Sequence, residues 1–274
     1  MACTVVTAFY PIKSKFPSTK YFEWAHTFMK LSSPIILFTD ASLTALFKSM
    51  RGDKPIFIVE LPFDELDTWK LYENKWKAHW HIDPEKHIHT PELYAIWAQK
   101  VFFVERAIEL NVFSTDYFFW CDIGAFRNPS ISNVILNSFP TTHFMKYEKL
   151  ILQAIGIIPE SEKTMKDDGI FGEPINYKWN ECRLVGGLWG GSTTACIQWK
   201  KSYQETLEKY FSANRFAGKD QAVMLSTYLA NPILANIVRS TKTGIDNWFF
   251  LEHLLSDEKN TYLLDESYTV VAKS

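Results

Sequence analysis

The chain has 274 residues, 47% of them apolar and 16% aromatic, which is enough for one large α/β domain or two small ones without disulfide staples. Twenty-nine basic residues against 31 acidic ones leave a net charge of −2, with no block of like charge, which argues against nucleic acid as the main partner. No apolar run approaches the roughly 18 residues of a membrane span, and the amino terminus lacks a basic stretch followed by an apolar signal core.

In chain order, Thr4 to Phe9 is β-branched and apolar and reads as a first strand. A polar, proline-containing loop (Tyr10 to Ser18) leads to an amphipathic helix from about Thr19 to Leu31, with Phe22, Ala25, Phe28 and Met29 on one face. Pro34 to Thr39 is a second strand ending at Asp40; Ser42 then caps a short helix that stops near Gly52, and Pro55 to Leu61 is a third strand. Strands separated by helices predict crossover units and a mixed, mainly parallel sheet flanked by helices. Thr90-Pro91-Glu92 is a helix start, with a capping hydroxyl, proline at the first helical position and an acid in the first turn. That helix should run to about Leu110, burying Leu93, Trp97, Val101, Val104 and Ile108, and end at Asn111. The strand that opens at Asp116 follows within a few residues, an apolar, aromatic run buried on both faces that ends on Asp122, which places the helix beside Asp122. Farther on, Ile131 to Phe139 reads as helix, Thr142 to Tyr147 as strand and Ser161 to Lys178 as loop. Arg183 to Leu188 reads as a strand entering a glycine-rich run, Thr193 to Tyr210 as helix, and a last helix opens at Asp220-Gln221 and ends before Pro232. No repeat or linker interrupts the chain, so residues 1–274 form one domain in this reading. Cys3 and Cys121 fall within strands and no C-x-x-C pair occurs, so buried thiols in a reducing, cytoplasmic setting are expected.

Asp122 stands where a buried strand emerges, outside the carboxyl end of a parallel sheet, where such sheets bind ligands. A hard cation, Mn²⁺ or Mg²⁺, held by a carboxylate there could meet a diphosphate. The third position of the familiar Asp-x-Asp pattern is Gly124, and Arg127 could supply positive charge as a phosphate clamp. A strand-ending turn accounts for Asp and Gly equally. Gly186-Gly187 permits close backbone approach to a ligand, or a bulge. Asp220-Gln221 alone reads as a helix start. His79, His81, His87 and His89 crowd together beside Asp83 and Glu85, as zinc ligands or as a solvated loop around Asp83-Pro84. His253 is a lone C-terminal histidine in an aromatic helix, read as a metal ligand or in a packing or surface role.

Taken in order, several segments resemble the HtrL/YibB (WlaTC-type) family of glycosyltransferase-like proteins. They are Thr4-Val5-Val6-Thr7-Ala8-Phe9-Tyr10, Tyr21-Phe22-Glu23-Trp24, Thr90-Pro91-Glu92-Leu93-Tyr94 with Ile96-Trp97 and Lys100, and Phe119 through Arg127. The glycine pairs around Leu188-Trp189 and Asp220-Gln221 complete the set. The resemblance implies a GT-A-like fold, a nucleotide-diphosphate-sugar donor, and a glycan or lipid-linked acceptor; the latter would bring the protein to a membrane surface peripherally. The order also looks like that of glycogenin-type retaining transferases, except that Ala222 follows Gln221 where a second Asp is common.

The resulting expectation is a glycosyltransferase in which Thr7, Ala8, Phe9, Tyr10 and Asp40 hold the nucleoside. Asp122, Gly124, Arg127 and Lys100 hold metal and diphosphate, Gly186 and Gly187 border the donor sugar, and Asp220 and Gln221 lie on its far side as catalytic groups. An inverting reaction needs a general base, for which Asp220, Asp168 and Glu92 are candidates. The rivals are a zinc-dependent hydrolase built on His79 to His89 and a non-catalytic glycan-binding module.

Overall fold

The computed structural model describes residues 3–128, 131–143, 149–174, 182–241 and 246–258. Its frame is a sheet of seven strands among the described residues, in the order β3-β2-β1-β4-β6-β5-β7. The strands are β1 (Cys3–Phe9), β2 (Ile35–Thr39), β3 (Ile56–Glu60), β4 (Tyr117–Cys121), β5 (Leu150–Gln153), β6 (Leu188–Ser192) and β7 (Ala235–Val238). β1 pairs in parallel with β2 and β4, β2 with β3, and β5 with β7; β6 alone runs against its neighbours. From β1 the chain winds outward through β2 and β3, then returns to place β4 on the other side. The carboxyl ends of β1 and β4 therefore flank a reversal of strand order, the crevice where open α/β sheets take ligands.

Helices cover both faces: α1 (Ser18–Phe28), α2 (Thr44–Arg51), α3 (Asp67–Ile82), α4 (Pro91–Leu110), α5 (Asn133–Ser138), α6 (Thr193–Ser212), α7 (Asp220–Ala230) and α8 (Phe250–Leu254). The period of two along each strand divides the core. Val6, Phe38, Phe118, Trp120 and Leu152 pack with Phe103 of α4, Trp199 and Tyr203 of α6 and Val223 of α7. Val5, Leu37, Phe119, Cys121 and Ile151 pack with Phe28, Phe47, Ile135 and Leu251 on the opposite face.

Most expected elements form within a residue or two of their expected bounds. Thr90 caps α4 by accepting from Leu93 N–H, and Asn111 closes it in the left-handed region at φ 31°. α4 is buried around most of its girth, Gln99 and Lys100 included, whereas Trp97 and Ile108 are only half-buried. Asp40, rather than Ser42, is the cap: its carboxylate accepts from Ser42 N–H and opens a 3₁₀ turn ahead of α2.

Two expectations are corrected. Arg183 to Gly187 is not a strand; only Leu184 bridges to Ala154, and β6 begins at Leu188 and carries the second glycine pair, Gly190-Gly191. A Cβ at Gly190 would lie 2.4 Å from Phe118 O, so only glycine lets β6 lie this close to β4. The histidine-rich stretch is not a solvated loop: α3 carries His79 and His81, and both His79 and His89 are buried. Of the expected Thr142 to Tyr147 strand, Thr142 and His143 lie outside any strand and the rest falls outside the described residues, as do the last positions of the Ser161 to Lys178 loop. No helix of the described residues is long and apolar enough to cross a membrane. No disulfide forms among the described residues, and Cys3, Cys121 and Cys196 are buried.

Candidate functional site

Asp122 is the first residue past β4. Its backbone N–H donates to Gly187 O at 2.7 Å, which ties the strand end to the approach of β6. The Oδ1 atom accepts from Trp120 Nε1 at 2.8 Å and lies 3.3 Å from Lys100 Nζ. The Oδ2 atom has no partner among the described residues, and the side chain is 40% exposed to a cleft of about 430 Å³. Enclosure by the rim pushes this carboxyl up from its ordinary range, with Lys100 pulling down and Asp220 adding to the rise.

Beneath it lies a buried knot. Lys100, on α4, is 5% exposed and Asp220, at the first position of α7, is 6%. Lys100 Nζ donates to Asp220 Oδ2 at 2.8 Å and to Gly186 O at 3.0 Å, so its third proton is directed at Asp122. Burial opposes the ammonium charge, but the two carboxylates outweigh it and hold the lysine pKa above its usual value. Asp220 Oδ1 accepts from Gln221 N–H at 2.9 Å. The glycine pair is set by these carboxylates: a Cβ at Gly186 would fall 2.6 Å from Asp220 Oδ2, and one at Gly187 3.1 Å from Asp122 Oδ2. Lys100 is thus brought to both carboxylates, with its protons engaged inside the protein rather than free for a phosphate.

Arg127 closes the other wall. Its Nε donates to Gly124 O at 2.6 Å, and the guanidinium lies 4.3 Å from the Trp24 ring, with Phe16 and Phe249 nearby. The two terminal nitrogens have no hydrogen-bond partner among the described residues. A Cβ at Gly124 would meet Trp24 Cε3 at 3.0 Å, so a second acid at the Asp-x-Asp position would have to displace the aromatic shelf under Arg127.

An adjoining hollow of about 120 Å³ is lined by Ala8, Phe9, Tyr10, Gly124 and Arg127, at the carboxyl end of β1. Thr7 and Asp40 line neither space. Thr7 is wholly buried with its hydroxyl unpartnered, and Asp40 is occupied as a cap. Gly186, Gly187, Asp220 and Gln221 share the main cleft with Lys100, Asp122 and Arg127. Of the other proposed bases, Asp168 pairs with Arg215 and lines a separate surface hollow against α6, and Glu92 lines none of these spaces.

The histidines separate. His79 Nδ1 accepts from Ala217 N–H, and burial holds its pKa down to about 4. His89 Nδ1 meets Asp83 at 2.8 Å, and His81 and His87 are exposed. No group of three or more metal-ligating side chains gathers among the described residues.

Among the cleft residues that escaped the sequence reading is a buried acid. Glu252, on α8, is 4% exposed, lines the same cleft, and its carboxyl has no hydrogen-bond partner among the described residues. Burial raises its pKa well above the usual value; Arg127 opposes this and Asp246 adds to it. An acid inside the apolar run Phe249 to Leu255 was the available signal, beside the histidine that drew the eye.

A family model described as "Bacterial protein of unknown function (HtrL_YibB)" matches residues 56–255. The chain is also similar to the protein HtrL of Escherichia coli (strain K12), 21% identical over 245 residues that cover 84% of this chain and 80% of HtrL. The family span runs from β3 through α8, so it holds the Lys100, Asp122, Asp220 and Glu252 constellation.

Proposed function

We propose that this chain, which belongs to the HtrL_YibB family of bacterial proteins of unknown function, is a GT-A-type glycosyltransferase. It would take a sugar from a nucleotide-diphosphate-sugar and pass it to a glycan or lipid-linked acceptor. The observation that carries this reading is the Asp122 corner. At a reversal of strand order, a carboxylate with one oxygen secured by Trp120 and Lys100 turns the other into a cleft that a guanidinium with open donors also lines. Such a pair suits a ligand that carries several negative oxygens at its centre.

In this reading the nucleoside lies along Ala8 to Tyr10, and Arg127 clamps a phosphate. Gly186 and Gly187 border the sugar, and Gln221 faces it from the start of α7. Asp220 works at one remove, since it holds Lys100 and through it the orientation of Asp122. The free Oδ2 fits a hard cation, Mn²⁺ or Mg²⁺, whose other positions would be filled by diphosphate oxygens and water; bound there, it would offset charge on the departing diphosphate. Buried free thiols suit a cytoplasmic location.

Thermal-shift screening against UDP-, GDP-, CMP- and dTDP-sugars, with and without Mn²⁺, tests the reading. A ligand at 100 times its dissociation constant adds about 2.7 kcal/mol of stability. Asp122→Asn should abolish the Mn²⁺-dependent part of that shift and lower sugar transfer by about 100-fold or more, with the fold retained. An unchanged response would remove the assignment.

A further inference from the structure

Beside the main cleft is a third hollow of about 400 Å³, which shares Tyr21, Trp97, Gln221 and Trp248 with it. His89 lines this hollow from the turn ahead of α4. Its Nδ1 lies 2.8 Å from Asp83 Oδ2, and Asp83 is itself fully enclosed, accepting also from the Tyr94 hydroxyl and from Glu85 N–H. Burial disfavours the Asp83 charge, but these three donors outweigh it and keep the carboxyl below its usual range. An ionised Asp83 can only accept, so Nδ1 carries a proton, which makes Nε2 the ring nitrogen able to take one from a ligand when the imidazole is neutral. That nitrogen has no protein partner among the described residues. The ring is braced edge-on against Trp97, with centroids 5.1 Å apart.

We propose that the Asp83–His89 dyad is the general base that activates the acceptor hydroxyl, and that this hollow is the acceptor subsite. The inference rests on the glycosyltransferase reading and adds the base which that reading lacks, because Asp220 is engaged by Lys100. His89 Nε2 takes the hydroxyl proton as the acceptor oxygen bonds to the anomeric carbon. The bond from that carbon to the phosphate oxygen breaks, and its electron pair leaves with the nucleoside diphosphate. Asp83 stays ionised and stabilises the imidazolium. Trp97, half-buried, and Trp248, 43% exposed, give the hollow two aromatic faces on which a sugar ring can stack, so the acceptor is a carbohydrate. The other charged and titratable groups around it are Lys15, Cys182, Arg183, and Lys219 paired with Glu85.

The test uses the full chain and the nucleotide-sugar giving the largest thermal shift, with water and methyl glycosides as acceptors. His89→Ala should lower kcat about 100- to 10,000-fold, leave donor affinity by calorimetry within twofold, erase the acid limb of the pH–kcat profile, and recover in part with added imidazole. Asp83→Asn should lower kcat without imidazole rescue; if it fails to fold, the His89 variants decide. A kcat within threefold of wild type with the acid limb intact would overturn the dyad and leave the donor reading standing. Donor binding without turnover by the wild type would also overturn the dyad. Failure of the wild type to bind any nucleotide-sugar would overturn both.

Discussion

Replacing Lys100 with methionine keeps the stem and removes the charge on which two carboxylates depend. The ammonium sits 2.8 Å from the buried Asp220 and 3.3 Å from Asp122, whose side chain opens to the cleft. At an effective dielectric of 20 those separations correspond to attractions of about 6 and 5 kcal/mol, much of which the lysine's own desolvation cancels. Removing one member of such a pair leaves Asp220, 6% exposed, with a single N–H donor, and should lower stability by about 3–5 kcal/mol at pH 7. The sign with pH follows from the orphaned acid. Without Lys100 the Asp122 carboxyl, already raised by burial, loses the charge that pulls it down, so its folded-state pKa rises further above the unfolded value and the stability it contributes is lost as pH climbs through that raised pKa. The deficit should therefore be smaller at pH 5 than at pH 7, and Lys100→Met/Asp220→Asn should recover part of it. Urea unfolding followed by tryptophan fluorescence at both pH values measures this. A loss below 1 kcal/mol at pH 7, unaltered at pH 5 and unimproved in the double variant, would refute the electrostatic account of the knot.

Gly186→Ala would push a methyl to 2.6 Å from Asp220 Oδ2 and should cost about 1–3 kcal/mol in the same assay; Gly187→Ala, with 3.1 Å to Asp122, should be milder, and the reverse order would contradict the packing. Glu252→Gln should stabilise the protein increasingly between pH 5 and 8. Burial lifts the Glu252 carboxyl well above 4.5, so its contribution is complete below the unfolded pKa and declines as pH rises, by up to about 1.4 kcal/mol per unit. Parallel Tm-versus-pH profiles for variant and wild type would count against a neutral Glu252. Arg127→Gln should weaken nucleotide-sugar binding by about 1.5–3 kcal/mol through loss of charged hydrogen bonds, with far-UV circular dichroism unchanged; undiminished affinity by calorimetry would remove the clamp.

Much of the frame was legible because its signals are local. The cap and proline of α4, the β-branched first strand and the abrupt end of β4 at Asp122 each act within a few residues. α3 was missed because polar residues share its inward face. Leu71 is exposed while Thr68, Trp76 and His79 are buried, so no apolar stripe marks the inward face. β6 was misplaced for a similar reason: glycines argue against a strand when read alone, yet here they are what allows one to lie so close to β4.

The candidate site divides in the same way. Asp122, Arg127, the glycine pair and Asp220-Gln221 were singled out from residue type and position along the chain. That Lys100 joins Asp122 to Asp220, that Arg127 rests on Trp24, and that Asp83 orients His89 beside the cleft were not. Chain order alone determined the alternation of strand and helix and put an acid at the mouth of a parallel sheet, because hydrophobic period and capping are properties of neighbours. Which charges meet, which face water and which lose their freedom to reach a ligand was decided only when α4, β6, α7 and α8 converged, since desolvation and ion pairing depend on separations of a few ångströms between residues as far apart in the chain as Lys100 and Asp220.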